Sequence, residues 1–200
     1  MKVVSIAIAL ALLKLVGGSG SPPLSLVGGS NRLAIARPFS EKDAHNLVHS
    51  FDAWNQFPPC NGDPSFVADL VLVFSGHLKN STIARDAMEG ARAIFEATNG
   101  FGNCFDKLLG LGCNIEPSED VYLPMEASSN PLWVNGPNRQ WEILFRAMLA
   151  SNYSFFGLFE MDSIPVHVNW LDALVEEIES QQDEFAILGR CVLQRIDFVP

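Results

Sequence analysis

The sequence has few positive charges and no cluster of them. Its 200 residues include 13 Lys and Arg against 23 Asp and Glu, which gives a formal net charge of -10. A protein that binds a nucleic-acid backbone usually presents the opposite field. The composition therefore argues against nucleic acid as a partner, and we interpret the acidity as a source of solubility.

Two groups of common motifs are also missing. The four cysteines, Cys60, Cys104, Cys113 and Cys191, show no C-x-x-C spacing, which argues against a zinc site. No Gly-rich fingerprint of a dinucleotide-binding or P-loop fold opens a predicted helix. In an oxidising compartment an even number of cysteines permits one or two disulfides, and the sequence leaves their connectivity open.

Long apolar runs are absent except near the N-terminus, where residues 3–13 lie between Lys2 and Lys14. This run is short for a membrane span, and a Gly, Ser and Pro stretch follows it. We predict a signal peptide or signal anchor at 1–16, a flexible linker at 17–32 and one domain at 33–200; the alternative for the first run is a short hydrophobic strand. The N-x-S/T sequons at Asn80 and Asn152 fit a lumenal chain, so we expect the secretory pathway, in the Golgi or ER lumen, or secretion.

What the sequence does contain is an alternation of apolar runs and helical periodicity. About half of the residues (48%) are hydrophobic, enough for one substantial core. The pattern predicts strands at 33–36, 69–76, 105–113, 155–159 and 185–189. It predicts helices at 41–56, from 83 to a stop at Asn99-Gly100, at 141–149 beyond the break at 135–138, and at 168–178. Ser40 is a candidate cap for the first helix, and Ser81 or Thr82 for the second. The fold class expected is α/β, a Rossmann-like, mainly parallel sheet with helices on both faces.

The most informative stretch is the strand at 155–159, which ends in Glu160 and Asp162. In an open α/β sheet, ligands bind outside the carboxyl ends of the strands, so this strand would deliver two carboxylates to a crevice. Two oxygen ligands of this kind suit Mn²⁺ or Mg²⁺. The alternative is a pair of solvated surface acids, which is the commoner state of such residues.

Four segments together resemble a known family. They are the crevice loop Arg37-Pro38-Phe39 after the first strand, the second strand with Ser75-Gly76 at its end, the helix opened by residues 135–139, and the strand closed by Glu160-Met161-Asp162. Over 33–190 they resemble the donor-binding half of GT-A fold glycosyltransferases, whose acid-x-acid motif the last segment matches. The resemblance implies a nucleotide-diphosphate sugar donor, a divalent cation and a carbohydrate or glycoconjugate acceptor.

The resemblance also implies roles for individual residues. Asp162 would ligate the metal directly, with Glu160 nearer the ribose or a metal-bound water. Arg37 and Phe39 would face the nucleotide base and ribose, and Ser75 would line the same pocket. Asn138 and Arg139 would favour an anion at a helix N-terminus. The resemblance thus predicts a divalent-metal-dependent glycosyltransferase, or its N-terminal donor domain. Because the family's acceptor site lies largely beyond this half, the alternatives are a fragment, a truncated reading frame or a donor-binding module with little transferase activity of its own.

Other interpretations remain open from the sequence. A non-catalytic nucleotide or carbohydrate module would use the same crevice, and a hydrolase would need Ser75 to meet a histidine. His77 and His167 are candidate ligands or bases, with packing or exposure as the alternative. Trp133, in the irregular stretch before the third helix, is a candidate sugar contact.

Overall fold

A computed structural model describes residues 11–14, 32–61, 67–97, 100–121, 135–151, 153–180 and 187–188. The described elements are, in chain order, β1 (Ala11–Lys14), β2 (Arg32–Phe39), α1 (Ala44–Gln56), β3 (Val67–Phe74), α2 (Thr82–Phe95), a 3-10 turn (Phe101–Cys104), β4 (Lys107–Gly112), α3 (Asn135–Ala150), β5 (Phe155–Leu158), α4 (Trp170–Ser180) and β6 (Ile187–Leu188).

The strands form one sheet in the order β4-β3-β2-β5-β1-β6. Strands β4, β3, β2 and β5 are all parallel, whereas β1 runs antiparallel to β5 and β6. The prediction of an α/β fold with a mainly parallel, Rossmann-like sheet is therefore confirmed. Since β3 and β5 both flank β2, the chain changes direction across the sheet between β2 and β5, which is a topological switch point.

Helices cover both faces of the sheet because its central strands are apolar on both sides. Alternate residues of β2 and β3 point into two separate cores, as expected for buried parallel strands. Helices α1, α2 and α4 close one core, with Leu47, Phe51 and Trp54 fully buried. Helix α3 closes the other core with Leu144 and Met148.

The predicted end of the first strand was wrong. The stretch Arg37-Pro38-Phe39 was expected to be a loop, yet it completes β2 and pairs with β3 up to Phe74. The carbonyls of β2 point alternately to its two neighbouring strands. The Ala36 carbonyl accepts from the Phe159 N–H next to β5, and the Phe39 carbonyl accepts from the Ser75 N–H next to β3. Pro38 thus turns its missing N–H towards β5, where the β2–β5 ladder has already ended at Ala36, so proline is tolerated.

Of the predicted helix caps, that of α2 is confirmed and that of α1 was wrong. Ser81 caps α2, since its side chain accepts a hydrogen bond from the Ala84 N–H at 3.1 Å. Ser40 does not cap α1; the N-cap residue is Asp43, and the Ser40 hydroxyl donates to the Asp43 carboxylate at 2.8 Å. Ser40 therefore orders the entry to α1 indirectly.

The N-terminal region contributes β1, which lies inside the stretch predicted to be a signal. Its residues pair with β5 from Ala11 opposite Leu158 to Lys14 opposite Phe155, in agreement with the alternative of a short strand for these four residues. The rest of 1–16, and the linker at 17–32 except Arg32, lie outside the described residues, so processing at this end stays a prediction. No helix within the described ranges is long and apolar enough to cross a membrane.

One disulfide ties the loop after α1 to the 3-10 turn. Cys60 and Cys104 are bonded, with their Cα atoms 5.6 Å apart. Cys113 is buried, and burial raises the pKa of its thiol to about 12, so it is not a reactive thiolate. Cys191 lies outside the described residues. The sequence had left this connectivity open.

Candidate functional site

A cleft of about 1230 Å³ opens at the carboxyl ends of β2, β3 and β5. It therefore lies at the switch point of the sheet, where α/β folds bind their ligands. Its floor includes Phe39, Phe74 and Leu158, the last residues of these three strands. Its walls come from the loops that follow the strands, from the first turns of α1 and from the N-terminal half of α3.

Glu160 and Asp162 line this cleft from a single tight turn. The Phe159 N–H donates to the Ala36 carbonyl at 2.9 Å, which extends the β2–β5 ladder by one residue. The Ser163 N–H then donates to the Glu160 carbonyl at 3.0 Å and closes a four-residue turn, here named the acid turn (residues 160–163). The two carboxylates occupy its first and third positions.

The electrostatics of the acid turn favour a bound cation. Partial burial of the carboxyl group raises the pKa of Glu160, and the negative charge of Asp162 raises it further. Such a shift means that the negative form of Glu160 lacks a compensating partner, and a cation would supply one.

The donor set fits one kind of cation. Mg²⁺ and Mn²⁺ use one or two carboxylates and complete their coordination with phosphate oxygens and water. The described part of the chain contains no group of three or more His, Cys, Asp or Glu side chains that could hold a metal ion. Its residues therefore do not surround an ion with protein ligands alone. Asp162 and Glu160 are the residues that would hold such an ion jointly with a ligand.

The described part of the cleft is acidic. Its described lining comprises His49 and His77, one lysine, Lys42, and six carboxylate residues, namely Glu41, Asp43, Glu116, Asp120, Glu160 and Asp162. His77 faces Glu116, with Nε2 and Oε1 3.2 Å apart. A ligand that carries phosphate would therefore enter this cleft against a negative field unless a cation accompanies it.

Helix α3 contributes Gln140, a residue that the sequence analysis missed. The buried Gln140 amide donates from Nε2 to the carbonyl of Val73 at 2.8 Å and to that of Phe39 at 3.2 Å. It thereby satisfies backbone acceptors at the ends of two adjacent strands, directly at the cleft floor. A signal was present: α3 buries every fourth residue, and glutamine interrupts this stripe of Gly136, Gln140, Leu144 and Met148.

Ser75 lies behind the cleft wall and not on it. Its side chain is 2% exposed, and its hydroxyl donates to Asp120 at 2.6 Å; Asp120 is the partner that reaches the cleft. No hydrogen bond joins Ser75 to a histidine within the described ranges, so this arrangement gives no support to a serine hydrolase.

The N-terminus of α3 already faces a carboxylate of the chain itself. A Cβ added to Gly136 would lie 2.4 Å from Asp120 Oδ1, so only glycine lets Asp120 approach this closely. The Asp120 charge sits where an anion at a helix N-terminus is favourable. The expected anion position beside Asn138 and Arg139 is thus partly taken by the protein.

The structure separates Asn138 from Arg139. Asn138 is exposed and lines the cleft. Arg139 pairs with Glu142 at 3.1 Å on the outer face of α3 and is not among the lining residues. His167 is exposed and also away from the lining, whereas Trp133 lies outside the described residues.

Of the two residues expected to face the nucleotide, only Phe39 lines the cleft. Arg37 is 0% exposed and lies under the acid turn, where its Nη1 donates to the Ser163 carbonyl at 3.2 Å. Its guanidinium carbon lies 5.2 Å from the ring centroid of Trp54. Burial lowers the pKa of Arg37 to about 9 while the Asp162 charge opposes that shift, so the side chain is positive at neutral pH.

The fold and the cleft define a class: an α/β domain with a mainly parallel sheet and an acidic cleft at its switch point. Comparisons with protein-family models, with curated proteins and with solved structures found no match for this chain.

Proposed function

We propose that this chain binds a nucleotide-diphosphate sugar through a divalent cation and acts as the donor-binding domain of a glycosyltransferase. The observation that carries the proposal is the acid turn, which brings Glu160 and Asp162 to the cleft at the switch point between β2 and β5. The resemblance to the donor half of GT-A glycosyltransferases over residues 33–190 supports the same assignment.

The charge of the cleft supports a requirement for the cation. Lys42 is the single lysine or arginine that lines the described part of the cleft, so side chains there offer little to balance a diphosphate. A bound Mn²⁺ or Mg²⁺ would neutralise the charge that develops on the leaving diphosphate. Asp162 would ligate the ion, and Glu160 would approach the ribose or a water on the ion. Phe39 on the cleft floor and the exposed Asn138 on the wall would contact the remainder of the nucleotide.

Calorimetric titration of uridine and guanosine diphosphates, with and without MnCl2, tests this proposal. We expect binding with Mn²⁺ and a loss of affinity of about tenfold or more in Asp162→Asn, because a charge-assisted contact contributes this much. Asp86→Asn is the matched control, since Asp86 is an exposed carboxylate on α2 outside the cleft. Binding that is equally tight without Mn²⁺, or unchanged in Asp162→Asn, contradicts the proposal.

A second candidate is a non-catalytic carbohydrate-binding module. The acidity of the cleft favours it, because neutral sugars present hydroxyl donors to carboxylates without charge repulsion, and Trp141 lines the same cleft. This module would bind neutral oligosaccharides without a cation and would gain nothing from a nucleoside diphosphate. The same titrations with and without Mn²⁺ distinguish the two candidates.

We propose an oxidising compartment of the secretory pathway as the place of action. The Cys60–Cys104 disulfide supports this, because such bonds are rare where thiols are kept reduced. Asn80 of the first sequon is exposed, whereas Asn152 of the second lies outside the described residues. Expression in a eukaryotic host followed by endoglycosidase treatment would show a loss of mass that Asn80→Gln diminishes; an unglycosylated intracellular product would contradict the assignment.

A further inference from the structure

Arg37 is a buried, positively charged residue that contacts the acid turn. It lies on β2 one residue beyond Ala36, whose carbonyl makes the last ladder contact with β5. The guanidinium reaches the Ser163 carbonyl at the end of the turn and stacks over Trp54, and the Asp162 carboxylate acts on it electrostatically. It therefore contacts the turn from below, on the side away from the cleft.

This arrangement is costly for the fold. Arg37 is 0% exposed, and its Nε and Nη2 atoms have no hydrogen-bond partner within the described residues. A buried charge that is only partly paired contributes little to stability, and an apolar residue of similar volume is often neutral or stabilising in its place. A buried arginine at such a position is therefore expected where function, and not stability, selects the residue.

We propose that Arg37 is a positioning residue that holds the acid turn in the conformation needed to bind a cation with its ligand. The Nη1 contact fixes the carbonyl of Ser163 and so the end of the turn. The positive charge beneath the turn offsets part of the repulsion between the two carboxylates, which lets both face the cleft. The stack on Trp54 fixes the guanidinium itself.

The direct test is amide hydrogen exchange of the peptide spanning residues 157–166 at short labelling times. Arg37→Met removes the charge and the donor at similar volume. We expect faster exchange of this peptide in Arg37→Met, with other core peptides unchanged and a thermal midpoint equal to or above that of the wild type. Tyr153→Phe is the matched control, because it removes a buried hydrogen bond to Asp69 at the opposite edge of the sheet.

Arg37→Lys is a second variant that keeps the inference testable if Arg37→Met fails to fold. It retains the positive charge and an N–H donor, so we expect exchange of the 157–166 peptide close to that of the wild type. A fall in the thermal midpoint of Arg37→Met with unchanged exchange in this peptide would show a purely structural role and overturn the inference. Exchange in Arg37→Lys as fast as in Arg37→Met would overturn it as well.

A second readout rests on the proposed function. The affinity of the wild type for nucleoside diphosphate with Mn²⁺ should fall about tenfold or more in Arg37→Met and recover to within about threefold in Arg37→Lys, as expected for loss and return of a charged hydrogen bond. Unchanged affinity in Arg37→Met overturns the inference. If the wild type itself binds no nucleotide with Mn²⁺, the proposed function fails, and the exchange data alone decide the role of Arg37.

Discussion

At the scale of single residues, the site depends on where charges lie relative to one another. Glu160 and Asp162 face the cleft from one turn, and Arg37 lies beneath that turn. Of these three, the two acids were predictable, because carboxylates directly after a buried strand belong at the crevice edge of a parallel sheet. Arg37 was not, because the sequence does not show that Pro38 prolongs β2 and so keeps the arginine inside the sheet.

Glu160 gives a pH prediction at the residue scale. Because its pKa is raised in the folded chain, folding binds its proton more tightly, so the associated stability is present at low pH and is lost as pH rises through the folded pKa. Glu160→Gln mimics the protonated form. In metal-free buffer we expect it to match the wild type near about pH 3.5 and to exceed it at about pH 7 by less than about 1 kcal/mol.

Urea denaturation of both proteins at the two pH values measures this difference. Glu89→Gln, at an exposed position in the middle of α2, is the control for removing a carboxylate elsewhere. A Glu160→Gln variant that is less stable than the wild type at neutral pH would mean that the carboxylate is stabilised in the folded chain, contrary to its surroundings here.

At the scale of elements, most strands and helices were predictable from periodicity, whereas their ends were not. The acid-bearing strand β5 and the amphipathic helices α2, α3 and α4 follow the expected pattern. The end of β2 depends on contacts distant in sequence, because pairing with β3 continues to Phe39. The start of α1 at Ala44 has no side-chain cap hydrogen bond that the sequence could have indicated.

Helix α3 is bonded to the ends of β2 and β3 through the Gln140 side chain, and this contact gives a prediction at the scale of elements. Gln140→Leu leaves the carbonyls of Phe39 and Val73 without this donor at the cleft floor. We expect a loss of about 1–3 kcal/mol in the free energy of unfolding, measured by urea denaturation, because two hydrogen bonds of about 0.5–1.5 kcal/mol each are lost. The Phe39 carbonyl keeps its hydrogen bond from the Ser75 N–H.

Arg139→Ala, one residue earlier on α3, is the control. It removes only an exposed ion pair to Glu142, which is worth at most about 1 kcal/mol. It also tests the expected phosphate role of Arg139, because nucleotide affinity should stay unchanged if this side chain remains on the outer face. Equal stability of Gln140→Leu and wild type would show that water or another donor replaces the amide.

At the scale of the whole molecule, the two ends of the parallel strands differ in structure. At the amino ends, Asp69 is 1% exposed, pairs with Arg32 and accepts a hydrogen bond from the Tyr153 hydroxyl at 2.7 Å. This cluster connects β2, β3 and the entry to β5 inside the core. At the carboxyl ends the loops leave the cleft open, so the buried polar cluster and the open cleft lie at opposite ends of the same strands.

The Cys60–Cys104 disulfide gives a prediction for the molecule as a whole. It closes a loop with a sequence separation of 44 residues that contains β3 and α2. Removing it in a Cys60→Ala, Cys104→Ala double variant should lower the free energy of unfolding by roughly 2–4 kcal/mol, since the unfolded chain gains conformational freedom. Denaturation of the wild type with and without reductant is the parallel measurement, and an equal midpoint in both would contradict this role.

The most direct measurement of the central claim is a crystal structure of the protein soaked with MnCl2 and a nucleoside diphosphate, examined by anomalous scattering. The account predicts one manganese peak in the cleft between β2 and β5, within about 2.0–2.3 Å of an Asp162 carboxylate oxygen, with the diphosphate completing its coordination. An ordered nucleotide in the cleft without manganese at the acid turn, or manganese bound only at Glu116 and Asp120, would contradict it.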